Sequence, residues 1–278
     1  MSSPHTPVRT FVKDITPPLL LRAYWRLRGN NLRFDGDFAT WTQARSNSSG
    51  YDSDEIFEKT RAAALKVKNG EAVYDRDSAV FDHVEYSFPM LAALLREARA
   101  KQGRLRVLDF GGSLGTGYRQ FKAFCEGGES VSWNIVDQSR IVECGRELFR
   151  NDELDFFPTI REAVKGGNPD VIIVSSVLQY LEKPYVLIGD LTSLGASSIV
   201  IDRTPVGTFD RDILAVQTVP ATIYNASYPC WIFSRSRLIK AFPNDYPVLA
   251  EIRDSSAAWR CAGGDFRFDG FILAKQEG

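Results

Sequence analysis

Short apolar segments alternate with helix-type segments along the chain from residue 106 to its end. The strand-type segments are "RVLDF", "SVSWNIVD", "LDFF", "PDVIIVSS", "SSIVIDR", "PVLAEIRD" and "DGFILAK". Helix-type segments such as "GTGYRQFKAFCEGG" and "SRIVECGRELFR" separate the first of them. Strands at this spacing, with helices between them, predict a mostly parallel sheet covered on both faces. A chain of 278 residues is long enough for one such α/β domain with an added segment.

The residues before this alternation are predicted to be mostly helical. The segment "YDSDEIFEKTRAAALKVKNG" has a capping box that begins at Asp52, and "SFPMLAALLREARAKQG" starts on Ser87 with Pro89 in its first turn. We therefore predict a helical N-terminal cap and substrate region at 1–105, followed by an α/β domain at 106–278.

Two features interrupt the alternation. The helix-type segment after "PDVIIVSS" contains Pro184, which predicts a bend or break there. The stretch from Thr204 to Tyr228 is rich in loop signals, and we expect a long link.

The composition argues against several kinds of partner. The formal net charge is −1, so no overall positive field points to nucleic acid. The four cysteines form no C-x-x-C pair and the two histidines, His5 and His83, lie far apart, so we expect no metal site. Reduced thiols, and the lack of any apolar run near the ~20 residues of a membrane span, predict a cytoplasmic protein.

The stretch "VLDFGGSLGTGYRQF" places a glycine cluster between the first predicted strand and its helix. In an open α/β sheet, ligands bind beyond the carboxyl ends of the strands, where glycines allow close approach to the backbone. A phosphate-binding P-loop is excluded because Tyr118 stands where the lysine is needed after Gly112 and Gly117. The glycines also lack the G-x-G-x-x-G spacing of a nicotinamide or flavin site.

What fits is an acid followed by spaced glycines. Asp109, Gly111 and Gly115 form acid-x-G-x-x-x-G, with Gly112 and Ser113 inside it. This resembles the first motif of the Rossmann-like methyltransferases that use S-adenosylmethionine (SAM). The resemblance implies that the glycine turn passes under the amino-acid end of the cofactor and that the acid positions the loop. Ser113 departs from the pattern, which usually has a glycine there.

Two further strand ends extend the predicted cofactor site. Asp137 ends the second strand, where a carboxylate can accept two hydrogen bonds from ribose hydroxyls; a simple turn residue is the alternative. The resemblance implies that Ser175 and Ser176, at the end of the fourth strand, lie beside the cofactor. Tyr180 stands where many relatives carry a histidine that faces the active site, although a half-buried helix tyrosine is equally compatible.

Several stretches together narrow the resemblance. "GYDSDEI", "GEAVYDRDSAVFDHVEYSFPMLAALL", "VLDFGGSLGTGYRQF", "SSVLQYLEKP", "VIDRTP" and "VQTVPATIYNASYPCWIFS" are similar to one bacterial family of methyltransferases associated with surface-polysaccharide biosynthesis. The similarity covers nearly the whole chain. It implies a Rossmann-like class I methyltransferase fold with a seven-stranded sheet, SAM as cofactor and a cell-envelope pathway, and it leaves the acceptor open.

Methyl transfer to a hydroxyl requires alignment of the acceptor and removal of a proton. Asp202 ends the fifth strand and is the best-placed base, and Arg203 either holds an anionic acceptor group or pairs with Asp202. Asp77 belongs to a charged cluster in "VYDRDS". The cluster either contacts substrate or cofactor, or it is a solvated helix end or a set of internal ion pairs. No lysine-aspartate-metal set of the catechol type is evident, so we predict a metal-independent reaction.

The segment at residues 9–29 is basic and rich in leucine and aromatic residues. It either rests on an anionic membrane at the inner face, where lipid-linked glycans are assembled, or forms an amphipathic helix docked on the sheet domain or on a partner subunit.

The sequence thus predicts a SAM-dependent methyltransferase that O-methylates a sugar or glycan intermediate, which is either a small molecule or lipid-linked. A catalytically inactive SAM-fold module of a polysaccharide complex and a methyltransferase of a small non-sugar metabolite stay open as alternatives. The sequence leaves the oligomeric state undetermined.

Overall fold

A computed structural model of the chain describes residues 32–49, 54–76, 79–125, 130–220, 226–254 and 258–276. Three features predicted from the sequence lie outside these ranges: the capping residue Asp52, the candidate site residue Asp77 and the basic segment at 9–29.

The described residues form thirteen strands and eight α-helices. The strands are β1 Arg33–Asp35, β2 Tyr74–Arg76, β3 Ala79–Phe81, β4 Arg104–Phe110, β5 Ser130–Val136, β6 Leu154–Phe157, β7 Val171–Ser175, β8 Ser198–Gly207, β9 Ile213–Thr218, β10 Ser227–Ser234, β11 Val248–Ile252, β12 Trp259–Cys261 and β13 Gly264–Ala274. The helices are α1 Trp41–Ser46, α2 Asp54–Lys68, α3 Phe88–Ala100, α4 Thr116–Lys122, α5 Ser139–Leu148, α6 Ile160–Ala163, α7 Pro184–Thr192 and α8 Arg235–Lys240.

Seven strands form the centre of the main sheet in the order β6-β5-β4-β7-β8-β13-β11. Neighbours from β6 through β8 pair in parallel, whereas β13 runs antiparallel to both β8 and β11. The order reverses at β4, which lies between β5 and β7. This is the Rossmann-like class I methyltransferase fold, and the fold class predicted from the sequence is confirmed.

The sheet is wider than the seven strands predicted, because β1, β9, β10 and β12 extend it to eleven. The expected long link from Thr204 to Tyr228 is wrong. Strand β8 continues to Gly207, and β9 follows within the stretch and pairs antiparallel with β10. Pro229 lies inside β10, opposite Val216 of β9. Proline inside a segment argues against a central strand, so β10 carries a local signal against the structure that it adopts.

The cap contains the predicted helices and additional short strands. Helix α3 begins after its N-cap residue Ser87, with proline in its first turn as expected. Strands β2 and β3 form a hairpin of their own, and β1 pairs with β9, so the residues before β4 are less helical than predicted. The break expected at Pro184 is present, since a 3-10 turn at Leu178–Tyr180 ends before α7 starts on that proline.

Apolar residues alternate between the two faces of the central sheet. Ile173 of β7 packs into the cluster under α3, α4 and α5, whereas its neighbour Ile172 packs into the cluster under α7 and α8. This period of two, in strands covered on both faces, produces the nearly continuous apolar runs seen in the sequence. Within the described ranges, every helix is too short or too polar to span a lipid bilayer.

Candidate active site

A cleft of about 2140 Å³ lies at the carboxyl ends of the central strands. Its walls come from the loops after β4, β5, β6 and β7, from the middle of β8, from the cap, and from β9 and β10. A pocket for one small ligand typically measures ~300–1,000 Å³, so the described residues leave space for a cofactor and an acceptor together.

The glycine loop between β4 and α4 has left-handed backbone at three positions. The φ angles are +75° at Gly111, +51° at Ser113 and +90° at Gly115. The Gly111 N–H donates to the Val136 carbonyl over 2.8 Å, which holds the loop against the end of β5. A Cβ on Gly111 would lie 2.2 Å from a methyl of Val177, so the close approach of these two loops requires glycine there.

Asp109 lies beneath this loop and is only 4% exposed. Its Oδ2 accepts a hydrogen bond of 3.1 Å from the Trp133 indole N–H. A Cβ on Gly112 would lie 2.4 Å from the same oxygen, so the carboxyl group supports the loop from below. Burial raises the pKa of Asp109 to about 7, and the Trp133 hydrogen bond opposes that rise.

Asp137 follows the last residue of β5 and connects the two loops on either side of it. Its carboxylate accepts hydrogen bonds from the backbone N–H of Ser113 at 3.0 Å and of Gln138 at 2.7 Å. Burial raises the pKa of Asp137, and these two hydrogen bonds counteract the rise. A carboxylate offers about four lone-pair sites, so two remain for a ligand in the cleft that it lines.

Asp202, near the middle of β8, is 7% exposed and lines the cleft. Its Oδ2 accepts from Ser87 Oγ at 3.2 Å and from Ser175 Oγ at 3.5 Å, and its Oδ1 accepts from the Arg203 backbone N–H at 2.9 Å. The Arg203 Nε donates to Ser175 Oγ at 3.3 Å. The candidate base and the neighbouring arginine are therefore linked through a serine of β7, and a cap residue contacts the base.

Ser176 and Tyr180 follow β7 on the same side of the cleft. Ser176 has a φ of +57°, and its N–H donates to the Asp202 carbonyl over 2.9 Å. Tyr180 donates from its hydroxyl to Gln217 of β9. Both residues line the cleft, as do Ser175 and Arg203. The roles assigned to these residues from the sequence stay predictions.

The charged cluster of the cap forms internal ion pairs. Asp75 is buried, and it pairs with Arg119 and accepts from Thr116 Oγ1 at 3.1 Å. Arg76 pairs with Glu85. These contacts fit the alternative of internal ion pairs for the "VYDRDS" cluster, although Asp75, Arg76 and Glu85 also line the cleft.

Three residues of the site were missed by sequence reasoning: Trp133, Ser87 and Gln217. A buried indole N–H needs an acceptor, so the tryptophan in an apolar strand beside Asp109 was a usable signal. Ser87 was assigned only as a helix start, and Gln217 lies in the stretch wrongly expected to be a loop. Within the described ranges, no group of three or more His, Cys, Asp or Glu side chains could hold a metal ion.

No protein-family model and no curated protein matches this chain. Solved structures match at low identity. The N-terminal domain of EvdMO1, in the presence of SAH and D-fucose, shares 14% identity over 81% of this chain and 98% of its own, with a TM-score of 0.45. CalS10, an amino pentose methyltransferase from Micromonospora echinaspora with SAM bound, shares 12% sequence identity over 68% of this chain and 91% of its own, with a TM-score of 0.43.

A third example is the magnesium protoporphyrin IX methyltransferase ChlM from Synechocystis with bound SAM. It shares 13% identity over 99% of this chain and 100% of its own, with a TM-score of 0.42. Because these similarities are low, the fold assignment rests on the strand order of this chain, and the function is argued from the site.

Proposed function

We propose that this protein is a SAM-dependent methyltransferase that methylates a hydroxyl of a sugar or glycan intermediate. The observation that carries the proposal is the glycine loop supported by Asp109 and tied to Asp137 at the reversal of the strand order. In open α/β sheets this reversal is where a cofactor binds.

The charges at the strand ends favour a cationic cofactor over a dinucleotide. Asp109, Asp137 and Asp202 line this part of the cleft together with Arg203. A pyrophosphate would bring negative charge close to these carboxyl groups, whereas SAM carries a sulfonium and an ammonium group.

Bound SAM supplies an electrophilic methyl group on its sulfonium sulfur. In our proposal, the Asp137 carboxylate accepts hydrogen bonds from the ribose hydroxyls of SAM, and the glycine loop holds the amino-acid end of SAM. Asp202 accepts the proton that the acceptor hydroxyl releases as its oxygen bonds to the methyl carbon and the carbon–sulfur bond breaks. Such base catalysis contributes ~10²–10⁴-fold in rate. Arg203 orients Asp202 through Ser175 and is available to an anionic part of the acceptor.

The pathway and the location belong to the same proposal. The resemblance to methyltransferases of surface-polysaccharide biosynthesis supports a glycan acceptor made in the cytoplasm, either as a small molecule or lipid-linked at the inner face of the membrane. The basic segment at 9–29 would supply the membrane contact in the second case.

Calorimetric titration with SAM tests the cofactor. We expect binding by the native protein and a loss of ~1.5–3 kcal/mol for Asp137→Ala, the contribution of hydrogen bonds to a charged group. Asp155→Ala, a change in the edge strand β6, serves as the matched control and should bind SAM normally. Absence of SAM binding by the native protein would contradict the proposal.

Incubation with methyl-labelled SAM and a glycan extract tests the chemistry. Asp202→Asn keeps the shape of the side chain and loses proton acceptance, so we expect transfer to fall ~10²–10⁴-fold while SAM affinity stays unchanged. SAM binding without transfer to any acceptor would favour the inactive binding module, and transfer only to a non-sugar metabolite would favour the third alternative.

A further inference from the structure

A buried amide lies between two phenols in the wall of the cleft away from the glycine loop. Gln217 of β9 is 4% exposed and lines the cleft. Its Oε1 accepts from the Tyr180 hydroxyl at 3.2 Å, and its Nε2 donates to the Tyr228 hydroxyl at 3.3 Å. The two tyrosine rings meet edge to face, with centroids 5.1 Å apart. We call these three residues the Tyr–Gln–Tyr cluster.

The amide of Gln217 has hydrogen-bonding capacity left over. A primary amide offers two N–H donors and two oxygen lone pairs. Within the described part of the chain, the side chain of Gln217 makes the two hydrogen bonds above and no others, so one N–H and one lone pair remain. Each polar atom of this amide already has one partner, and the unused N–H and lone pair border a cleft that can admit a ligand.

The surroundings of the cluster are apolar. Tyr180 and Tyr228 pack with Ile56 and Val219, which come from α2 and from the end of β9. An ionised group placed among these apolar side chains would lose much of its hydration, whereas a neutral hydroxyl can donate to the free lone pair of Gln217 or accept from its free N–H. Aromatic rings beside such an amide suit a sugar ring, which presents both C–H groups and hydroxyls.

We propose that Gln217 binds a hydroxyl of a neutral, polyhydroxylated acceptor and selects that acceptor against charged or deoxygenated analogues. The inference rests on the proposed function, because it assigns the acceptor side of the same cleft. Gln217 is a specificity-determining residue in this assignment, and the two tyrosines hold its amide in place. Sites that hydrogen-bond a substrate hydroxyl discriminate strongly against the analogue that lacks it.

Saturation-transfer NMR with a panel of methyl glycosides tests the assignment. The probes are the methyl glycosides of glucose, galactose, mannose and fucose, each with and without SAH. We expect at least one glycoside to bind the native protein, and Gln217→Leu to weaken that binding about tenfold, the effect of losing one or two hydrogen bonds. The deoxy analogue that lacks the contacted hydroxyl should bind the native protein and the variant equally.

Tyr246→Phe is the matched control, because it removes a buried hydrogen bond to the Ala196 carbonyl outside the cleft lining. It should leave glycoside binding unchanged. Gln217→Glu keeps the shape of the side chain and provides a second test if the leucine variant does not fold. It should also weaken glycoside binding. Folding of every variant is checked by its calorimetric affinity for SAH, which we expect to stay at the native value.

Three outcomes would overturn the assignment: no saturation transfer to any glycoside, native affinity in both Gln217 variants, or a preference for methyl glucuronoside or methyl glucosaminide over the neutral panel. Failure of the proposed function would give a different result. The native protein would then bind neither SAM nor SAH in calorimetry, whatever the separate NMR measurement of glycoside binding shows.

Discussion

A single carboxyl group illustrates how the site depends on residue-level packing. Asp109 touches the loop from below, and no side chain larger than glycine fits at position 112 above it. Its burial raises its pKa to about 7, so the group is partly protonated at neutral pH. The unfolded value is close to 3.8, and the native state therefore binds more protons between these two values.

The sign of this linkage predicts how stability varies with pH. The contribution of Asp109 to stability is fully present below pH ~4 and is lost as pH rises through about 7. The Asp109→Asn variant stays neutral at every pH and does not lose this contribution. Its free energy of unfolding, relative to that of the native protein, should therefore increase by on the order of 1–4 kcal/mol from pH 5 to pH 8. Urea unfolding of both proteins at pH 5 and pH 8 measures the two free energies. If the difference between variant and native protein were the same at both pH values, the prediction would be contradicted.

The same carboxyl group should couple proton release to cofactor binding. A cationic ligand above the loop favours the ionised form, so SAM affinity should increase from pH 6 to pH 8 and protons should be released near pH 6.5. Calorimetry in buffers of different ionisation enthalpy counts those protons. Asp109→Asn should abolish the release, and an undiminished release in that variant would assign the proton to another group.

Gly111 has both a steric and a conformational reason to be glycine. Its φ is +75°, and a Cβ would lie 2.2 Å from Val177. We expect Gly111→Val to abolish SAM binding in calorimetry while the far-ultraviolet circular dichroism of the sheet is retained. Gly166→Val is the control, because its Cβ would meet nothing within 4 Å. Normal SAM binding by Gly111→Val would mean that the loop does not cradle the cofactor.

At the scale of elements, one arginine fastens the cap hairpin to the glycine loop. Arg119 of α4 pairs with Asp75 of β2, and its Nη1 donates to the Leu114 carbonyl of the loop over 2.8 Å. Its third contact, with Thr116 Oγ1 at 3.1 Å, lies in the first turn of α4. The hairpin, the loop and the helix therefore share one guanidinium group.

We expect Arg119→Met to lower the free energy of unfolding by ~1.5–3 kcal/mol, because hydrogen bonds to charged groups contribute that much. Hydrogen exchange should accelerate in 74–76 and 79–81 first. Arg150→Met removes an exposed ion pair with Asp155 and should cost less than ~1 kcal/mol. Equal effects of the two changes would mean that Arg119 does not fasten the hairpin.

The elements also show what the sequence could and could not reveal. The central strands were predictable because each is a short apolar run. The positions of Asp109 and Asp137 were predictable because each stands at the end of such a run. The contact between Ser87 and Asp202 joins positions 115 residues apart, which no local pattern encodes. Strand β9 was missed although "ILAVQT" is apolar, because the stretch from Thr204 to Tyr228 around it is rich in loop signals.

At the scale of the whole molecule, the added strands build an apolar cluster beside the central core, and Phe266 of β13 joins it to the central sheet. Cys230 of β10 and Cys261 of β12 are buried in this cluster with Phe34, and Cys144 of α5 is buried in the cluster under α3, α4 and α5. Burial raises the pKa of all three thiols. Cys125 is half-buried.

Thiol labelling therefore reports on the packing of the added strands β10 and β12. At pH 8 we expect one fast-reacting cysteine, Cys125, and three that react only on unfolding, because a buried thiol is neither accessible nor ionised. Mass spectrometry of the labelled peptides identifies the sites. Rapid labelling of Cys230 or Cys261 in the native protein would show that β10 and β12 do not pack as one unit with the central sheet.

Three residues of the site, one after β4, one after β7 and one inside β8, adopt a left-handed backbone conformation that favours glycine. Ser113, Ser176 and Arg203 have φ angles of +51°, +57° and +47°. A non-glycine residue in this region costs ~1–2 kcal/mol. A library randomised at these positions and selected only for solubility should drift to glycine. The same library selected for turnover would keep serine or arginine wherever the side chain is used, so comparing the two selections separates the chemistry of the site from its shape.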